Sequence, residues 1–195
     1  MARKLFSPLQ AFTITLKALT SLIGYKRELK HFPGFSHTKE RIMLTVTQVN
    51  GCAMCSFAHT QIALESGLKD EEIMKLLNAE LEDVPETERA IIIFAQHYAD
   101  TQAKPSKEAY SLIVNTYGKA KAKLILDTIH IIMMGNCYGI PTGSFISRFK
   151  KKGSSFHDLR STIAYELLMF LTLIISLPIC LVLAFFIKLF RIELI

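Results

Sequence analysis

From Leu167 to Ile187 the chain runs for 21 residues without a charged side chain. Backbone groups in so apolar a stretch have to pair with one another, which a helix does within a single segment. Such a helix is about 31 Å long, close to the ~30 Å hydrocarbon thickness of a bilayer. A transmembrane helix is therefore expected over 167–187, with a buried core or oligomer helix as the alternative that Pro178 keeps open. Glu166 and Lys188 bracket the run. Five basic residues lie in its approach (Arg148, Lys150, Lys151, Lys152, Arg160) and two beyond it (Lys188, Arg191), so the charge bias places the preceding chain on the cytoplasmic side.

The remaining sequence has room for one domain with a sizeable core, and the 50% hydrophobic content suits such a domain plus one extra apolar segment. The net charge of +6 would permit nucleic-acid contact, but the basic residues collect near the chain ends and no basic stripe is interleaved with aromatics. Nucleic-acid binding is not expected. At the N-terminus, Gln10 and Lys17 interrupt any signal-peptide core and no cleavage site follows, which argues against export. Four cysteines (Cys52, Cys55, Cys137, Cys180) are too few for a disulfide framework in a domain of this size, and a redox-active pair in a reducing compartment fits them better.

Helical signals follow one another along the chain. Ser7-Pro8 opens a helix whose stripe is Leu9, Phe12, Leu16, Leu19 and Ile23, suited to packing on the core or a partner subunit. Pro33-Gly34 punctuates a linker, with Ser36 or Thr38 as the cap of a helix running to Val49. Asn50-Gly51 is a turn, and Gly67 stops the helix expected from Cys52 to Ser66. Further helices are expected over Lys69–Asn78, from Val84-Pro85 to Ala103 with Ala90, Ile93, Phe94 and His97 on one side, from Pro105-Ser106 to Gly118, and from Ala120 to Met134. His97 reads as a satisfied core histidine. No alternating strand pattern appears, so the fold class is all-α.

Cys52, Cys55 and His59 stand at i, i+3 and i+7 of one helix, so two thiols and an imidazole share a face. A free thiol with pKa near about 8.5 needs a shift of ~1.5 to 2 units to be a useful thiolate at neutral pH, roughly 2 to 2.7 kcal/mol. A helix N-terminus supplies about 0.3 to 1 kcal/mol at exposed sites, and a base one turn along, His59, could supply the rest. Two plainer readings compete: cysteines packed as small hydrophobes, and three ligands of a zinc site. The Asn-Gly turn and the histidine in register favour chemistry over packing, and the lack of a second Cys or His pair argues against zinc, leaving no metal expected. If the chain folds back at Asn50-Gly51, Glu40 and His59 lie about 15 and 12 Å from the turn, near enough in height to communicate. By pattern alone, Glu40 is an acid that complements a helix N-terminus.

With these residues in view, the segment from about Ser36 to Phe149 resembles the alkylhydroperoxidase D-like branch of the carboxymuconolactone decarboxylase family. That pattern has a glutamate twelve residues before C-x-x-C and a histidine four after it, and Glu40, Cys52, Cys55 and His59 match each position. The resemblance implies an all-α domain over 36–150, assembled as a homo-oligomer (trimer or hexamer), with thiol peroxidase or disulfide reductase activity and no bound cofactor. The other segments would be an N-terminal helix and linker (1–35), a basic linker (151–166), the transmembrane helix (167–187) and a short tail (188–195). It also implies roles: Cys55 attacks the hydroperoxide, Cys52 resolves it as a disulfide, His59 takes the thiol proton, and Glu40 orients His59, with an external dithiol reductant closing the cycle. Two departures stand out. Ala53 and Met54 lie between the cysteines where some members carry another histidine. The stretch GNCYGIPTG offers Asn136 but no arginine where relatives carry an Asn-Arg pair; Cys137 within it reads as structural. Lactone decarboxylation on the same fold and a redox-sensing or scaffolding role are the alternatives; the former is disfavoured because decarboxylases generally lack the cysteine pair.

Overall fold

The structure, a computed structural model, describes residues 5–149, 156–192 and 194. The expected basic run Lys150 to Lys152 and the linker 153–155 lie outside the described residues. Among the described residues the regular elements are nine helices: α1 Pro8–Leu22, α2 Tyr25–Lys30, α3 Phe35–Asn50, α4 Ala53–Glu65, α5 Asp70–Leu77, α6 Glu86–Asp100, α7 Lys107–Tyr117, α8 Lys119–Phe149 and α9 Ile163–Leu189. No strand occurs among them, and the domain is all-α.

Helix α8 is the axis around which the others pack. Its buried Leu124, Ile125, Ile129, Ile132 and Cys137 meet Ile42, Leu44 and Val46 of α3, Ile91, Ile92 and Ala95 of α6, and Ile14 of α1 in one core. Helix α1 runs antiparallel to α8: Thr15 bonds the Tyr138 hydroxyl at 2.8 Å, and Ser21 reaches Asp127 and His130. Arg41 on α3 is buried between two acids, 2.5 Å from Glu72 on α5 and 3.0 Å from Glu88 on α6, and so fastens three helices together.

Several sequence expectations need correcting. Helix α8 does not stop at Met134; it continues through Gly135, Gly139, Pro141 and Gly143 to Phe149. The glycines do not end it because they are where α4 approaches, so packing outweighs their poor helix propensity. Helix α3 starts at Phe35 behind a left-handed Gly34, and neither Ser36 nor Thr38 caps it; the Thr38 hydroxyl donates to Glu88 instead. Helix α6 buries Ile91, Ile92, Phe94, Ala95, Tyr98 and Ala99, while Ile93 faces out and His97 is half-buried, accepting a hydrogen bond from the Ser106 amide. His97 is satisfied, but at a loop rather than in the core.

Helix α9 lies beside α1 and α8. The contact is a stripe of Met169, Ser176, Cys180 and Ala184, of which Cys180 and Ala184 are small enough to let α1 come close at Phe12, Leu16 and Leu19. At its base Glu166 is fully buried and held by the Arg148 guanidinium through three hydrogen bonds of 2.8 to 3.1 Å and by the Ser161 hydroxyl. Most of the remaining circumference, from Leu167 to Phe190, is exposed and apolar.

Candidate active site

Gly51 takes a left-handed conformation (φ 71°) that ends α3 and turns the chain into α4. Cys52 is the N-cap of α4 rather than a residue within it; its sulfur accepts a hydrogen bond from the Cys55 amide at 3.3 Å. Because one turn separates them, Cys52 and Cys55 face each other, and they are joined by a disulfide with Cα atoms 5.3 Å apart. Both are buried, and Cys55 is the more accessible of the two.

The α3–α4 hairpin brings Glu40 and His59 together. His59 Nδ1 lies 3.1 Å from Glu40 Oε2, and Lys39 Nζ lies 2.8 Å from Glu40 Oε1. Glu40 is almost wholly buried. Burial pushes its carboxyl up, but the hydrogen bonds from His59 and Lys39 outweigh this and hold it below the ordinary carboxylate range. An ionised Glu40 can only accept, so His59 donates to it from Nδ1. On α4, His59 follows Cys55 by one turn and shares its face. The hairpin thus pairs Glu40 with His59, while the Cys52–Cys55 disulfide sits at the start of α4, one turn before His59.

Sequence reasoning missed two contributors. Lys39 stands beside Glu40 in the sequence and gave no pattern of its own. Gly139, within the stretch GNCYGIPTG, is where α8 crosses the first turn of α4: a Cβ added there would sit 2.6 Å from Cys55 Sγ and 2.8 Å from Cys52 Sγ. Only a glycine lets the α8 backbone seat the disulfide. The Gly135 carbonyl oxygen, one turn earlier on α8, lies 3.5 Å from Cys55 Sγ and can accept from that thiol when the pair is reduced.

Asn136 points elsewhere. It is buried, and its Oδ1 accepts from Thr47 of α3 at 3.1 Å. Cys137 is a free, buried thiol whose pKa burial raises far above the ordinary range, as suits a packing residue. Among the described residues no group of three or more His, Cys, Asp or Glu is placed to hold a metal ion.

A cleft beside the site is lined by Gly51, Ala53, Met54, Gly139 and Ile140 and, from the segment leading into α9, Phe156 and His157. Phe156 packs edge-on against Phe57 of α4, and Asp158 is tied to Ser144 of α8. The chain entering α9 therefore covers the α4 end that carries the cysteines.

Neither a curated protein nor a solved structure matches the chain. Residues 36–95 match the model of the carboxymuconolactone decarboxylase family, a span that contains Glu40, Cys52, Cys55 and His59 together with α3, α4, α5 and most of α6. Over residues 36–95 the chain is thus similar to the carboxymuconolactone decarboxylase family, and its all-helical build agrees with that likeness.

Proposed function

We propose that the chain is a cofactor-free thiol peroxidase or disulfide reductase held at a membrane by α9. The observation that carries this reading is the hydrogen bond from His59 to a buried, ionised Glu40, one turn along the helix from a vicinal cysteine pair. In the reduced enzyme His59 Nε2 takes the Cys55 proton and Glu40 stabilises the imidazolium that results. The Cys55 thiolate attacks the hydroperoxide oxygen. The O–O bond breaks, the proton goes to the departing alkoxide, and Cys55 becomes a sulfenic acid. Cys52 then displaces water from that sulfur to form the disulfide. An external dithiol restores both thiols by exchange and is itself oxidised.

For α9, the support is an uncharged face on most sides with only a small-residue stripe packed inward, the pattern of a helix that faces lipid. Cys180 and Ala184 keep α9 against α1 along its second half, so in this reading the helix meets lipid with its outer face while the domain stays beside it. Assembly as a trimer or hexamer through helix faces, which the family resemblance implies, belongs to the same reading.

Hydroperoxide consumption by the full chain in detergent, supplied with excess dithiol, tests the chemistry. Sustained turnover that vanishes in Cys55→Ala supports it. A single stoichiometric oxidation without turnover would contradict it and point to a redox sensor.

A further inference from the structure

Toward the N-terminal end of α8, away from the Gly135–Gly139 stretch that meets the cysteines, a cavity of about 60 Å³ opens between α1, the first turns of α8 and the last turn of α9. At roughly 10–15 Å³ of such space per water, it is larger than one or two waters need and comparable to one tetrahedral oxyanion. Lys17, Lys119, Lys123 and Lys188 line it against a single acid, Asp127, together with Ser21 and His130. The thiol chemistry uses none of these cationic side chains.

The hydrogen bonds there fix what a ligand must supply. The Ser21 hydroxyl donates to Asp127 Oδ1 at 2.7 Å, so toward His130 Nδ1, 2.9 Å away, it can only accept. His130 is therefore protonated on Nδ1, and Nε2 bears a lone pair. That Nε2 is buried and has no hydrogen-bond partner. Leaving a buried acceptor bare is costly, and a fold retains that cost where something else completes the bond. Burial, reinforced by Lys17 and Lys123, holds the His130 pKa well below its ordinary value, so the ring is neutral and does not itself supply positive charge. Lys123 is paired with Asp127, and Lys17 donates to the Tyr98 hydroxyl and the Ala103 carbonyl, so both ammonium groups are held in place. Burial lowers the Lys17 pKa to about 8, which leaves it mostly charged at neutral pH and ready to rise against an anion.

We infer that this cavity binds a phosphate monoester or hydrogen phosphate, with its anionic oxygens on the lysines and its P–OH donated toward His130 Nε2. A carboxylate or sulfate would meet the lysines but bring no donor for the imidazole, whereas hydrogen phosphate keeps a P–OH at neutrality and a monoester, with a second pKa near about 6, keeps one in roughly a tenth of molecules at pH 7, the form this site would select. The chemistry is shared by free phosphate and by a lipid headgroup. Lys188 closes the apolar run of α9, where a membrane-embedded helix meets headgroups.

Calorimetric titration of the full chain in detergent micelles with inorganic phosphate, and separately with a short-chain phosphatidic acid, measures binding, while ¹⁵N spectra of labelled histidine report on His130. Binding of either probe should move the His130 Nε2 resonance from that of a bare lone pair toward that of a hydrogen-bonded nitrogen. Loss of one charge-assisted bond in Lys188→Met should weaken binding about tenfold or more, while Lys75→Met on α5 should leave it unchanged. Binding of phosphate supports a soluble source, and binding of phosphatidic acid alone supports the headgroup. No His130 shift with either probe, or equal weakening by Lys75→Met, overturns the assignment. Peroxide turnover does not enter the measurement, so this result and the fate of the thiol chemistry are independent.

Discussion

Helices α8 and α9 share a description and differ in circumstance. Each is long and apolar enough to cross a membrane, and each contains a proline, yet the most apolar window of α8 is 78% buried in the protein and that of α9 is 17% buried. The difference lies in where polar atoms sit. Helix α8 carries Asp127, Thr128, His130, Asn136 and Tyr138 among its apolar residues, and these bond to α1, α2, α3 and α9. Helix α9 has no charge between Glu166 and Lys188 and offers its neighbours little beyond a stripe of small side chains. Hydropathy alone does not separate a core axis from an exposed apolar helix; polar groups placed to be satisfied by protein do.

The largest effect expected from this contrast comes from placing a charge on each helix. Ile129→Asp on α8, at a fully buried position, should unfold the domain, with a loss of about 4 kcal/mol or more read by chemical denaturation. Ile174→Asp on α9, at an exposed position, should leave the domain folded and instead reduce membrane partition, since an aspartate at mid-bilayer costs roughly 2.5–3.5 kcal/mol. Equal unfolding by both would erase the distinction between the helices.

A smaller effect probes where the two helices join. Glu166→Ala strips the Arg148 guanidinium of its partner, and breaking a buried pair of this kind costs about 3–5 kcal/mol, an upper figure here because Arg148 is partly exposed. Hydrogen exchange should quicken along α9 and the end of α8 while the α3 core stays protected. Gly139→Ala tests α8 from its other side. The added methyl group meets both sulfurs, so about 1–3 kcal/mol of stability and the ability to close the Cys52–Cys55 disulfide should be lost together, as mass spectrometry after oxidation would show. Acid gives the mildest expected effect. Glu40 and Glu166 both have pKa values lowered on folding, since their partners outweigh burial, so each contributes stability that is fully present above the ordinary glutamate pKa of about 4.3 and is lost as pH falls through the lowered value. Glu40→Gln should flatten the lower end of the stability–pH profile.

Much of the site was legible in advance because it rests on spacing. The interval from Cys52 to Cys55 to His59 obeys helix periodicity, and the Asn50-Gly51 turn dictates a hairpin that returns Glu40 to the level of His59. The extent of α8 was not legible, because three glycines and a proline read locally as a stop and become helical only where α4 and the segment at Phe156 crowd against them. Nor was the buried pairing of Arg148 with Glu166, since both residues look in the sequence like flanking charges of an apolar run. Contacts between distant segments leave no periodicity to read.

The central claim is that His59, held by Glu40, makes Cys55 shed its proton readily. The most direct test is the pH dependence of Cys55 alkylation in the reduced chain, with Cys52 replaced by serine, compared between that background and the same background carrying His59→Ala. The account predicts a thiol pKa well below the free value of about 8.5 in the first and a return toward about 8.5 in the second. A value near about 8.5 in both would contradict it.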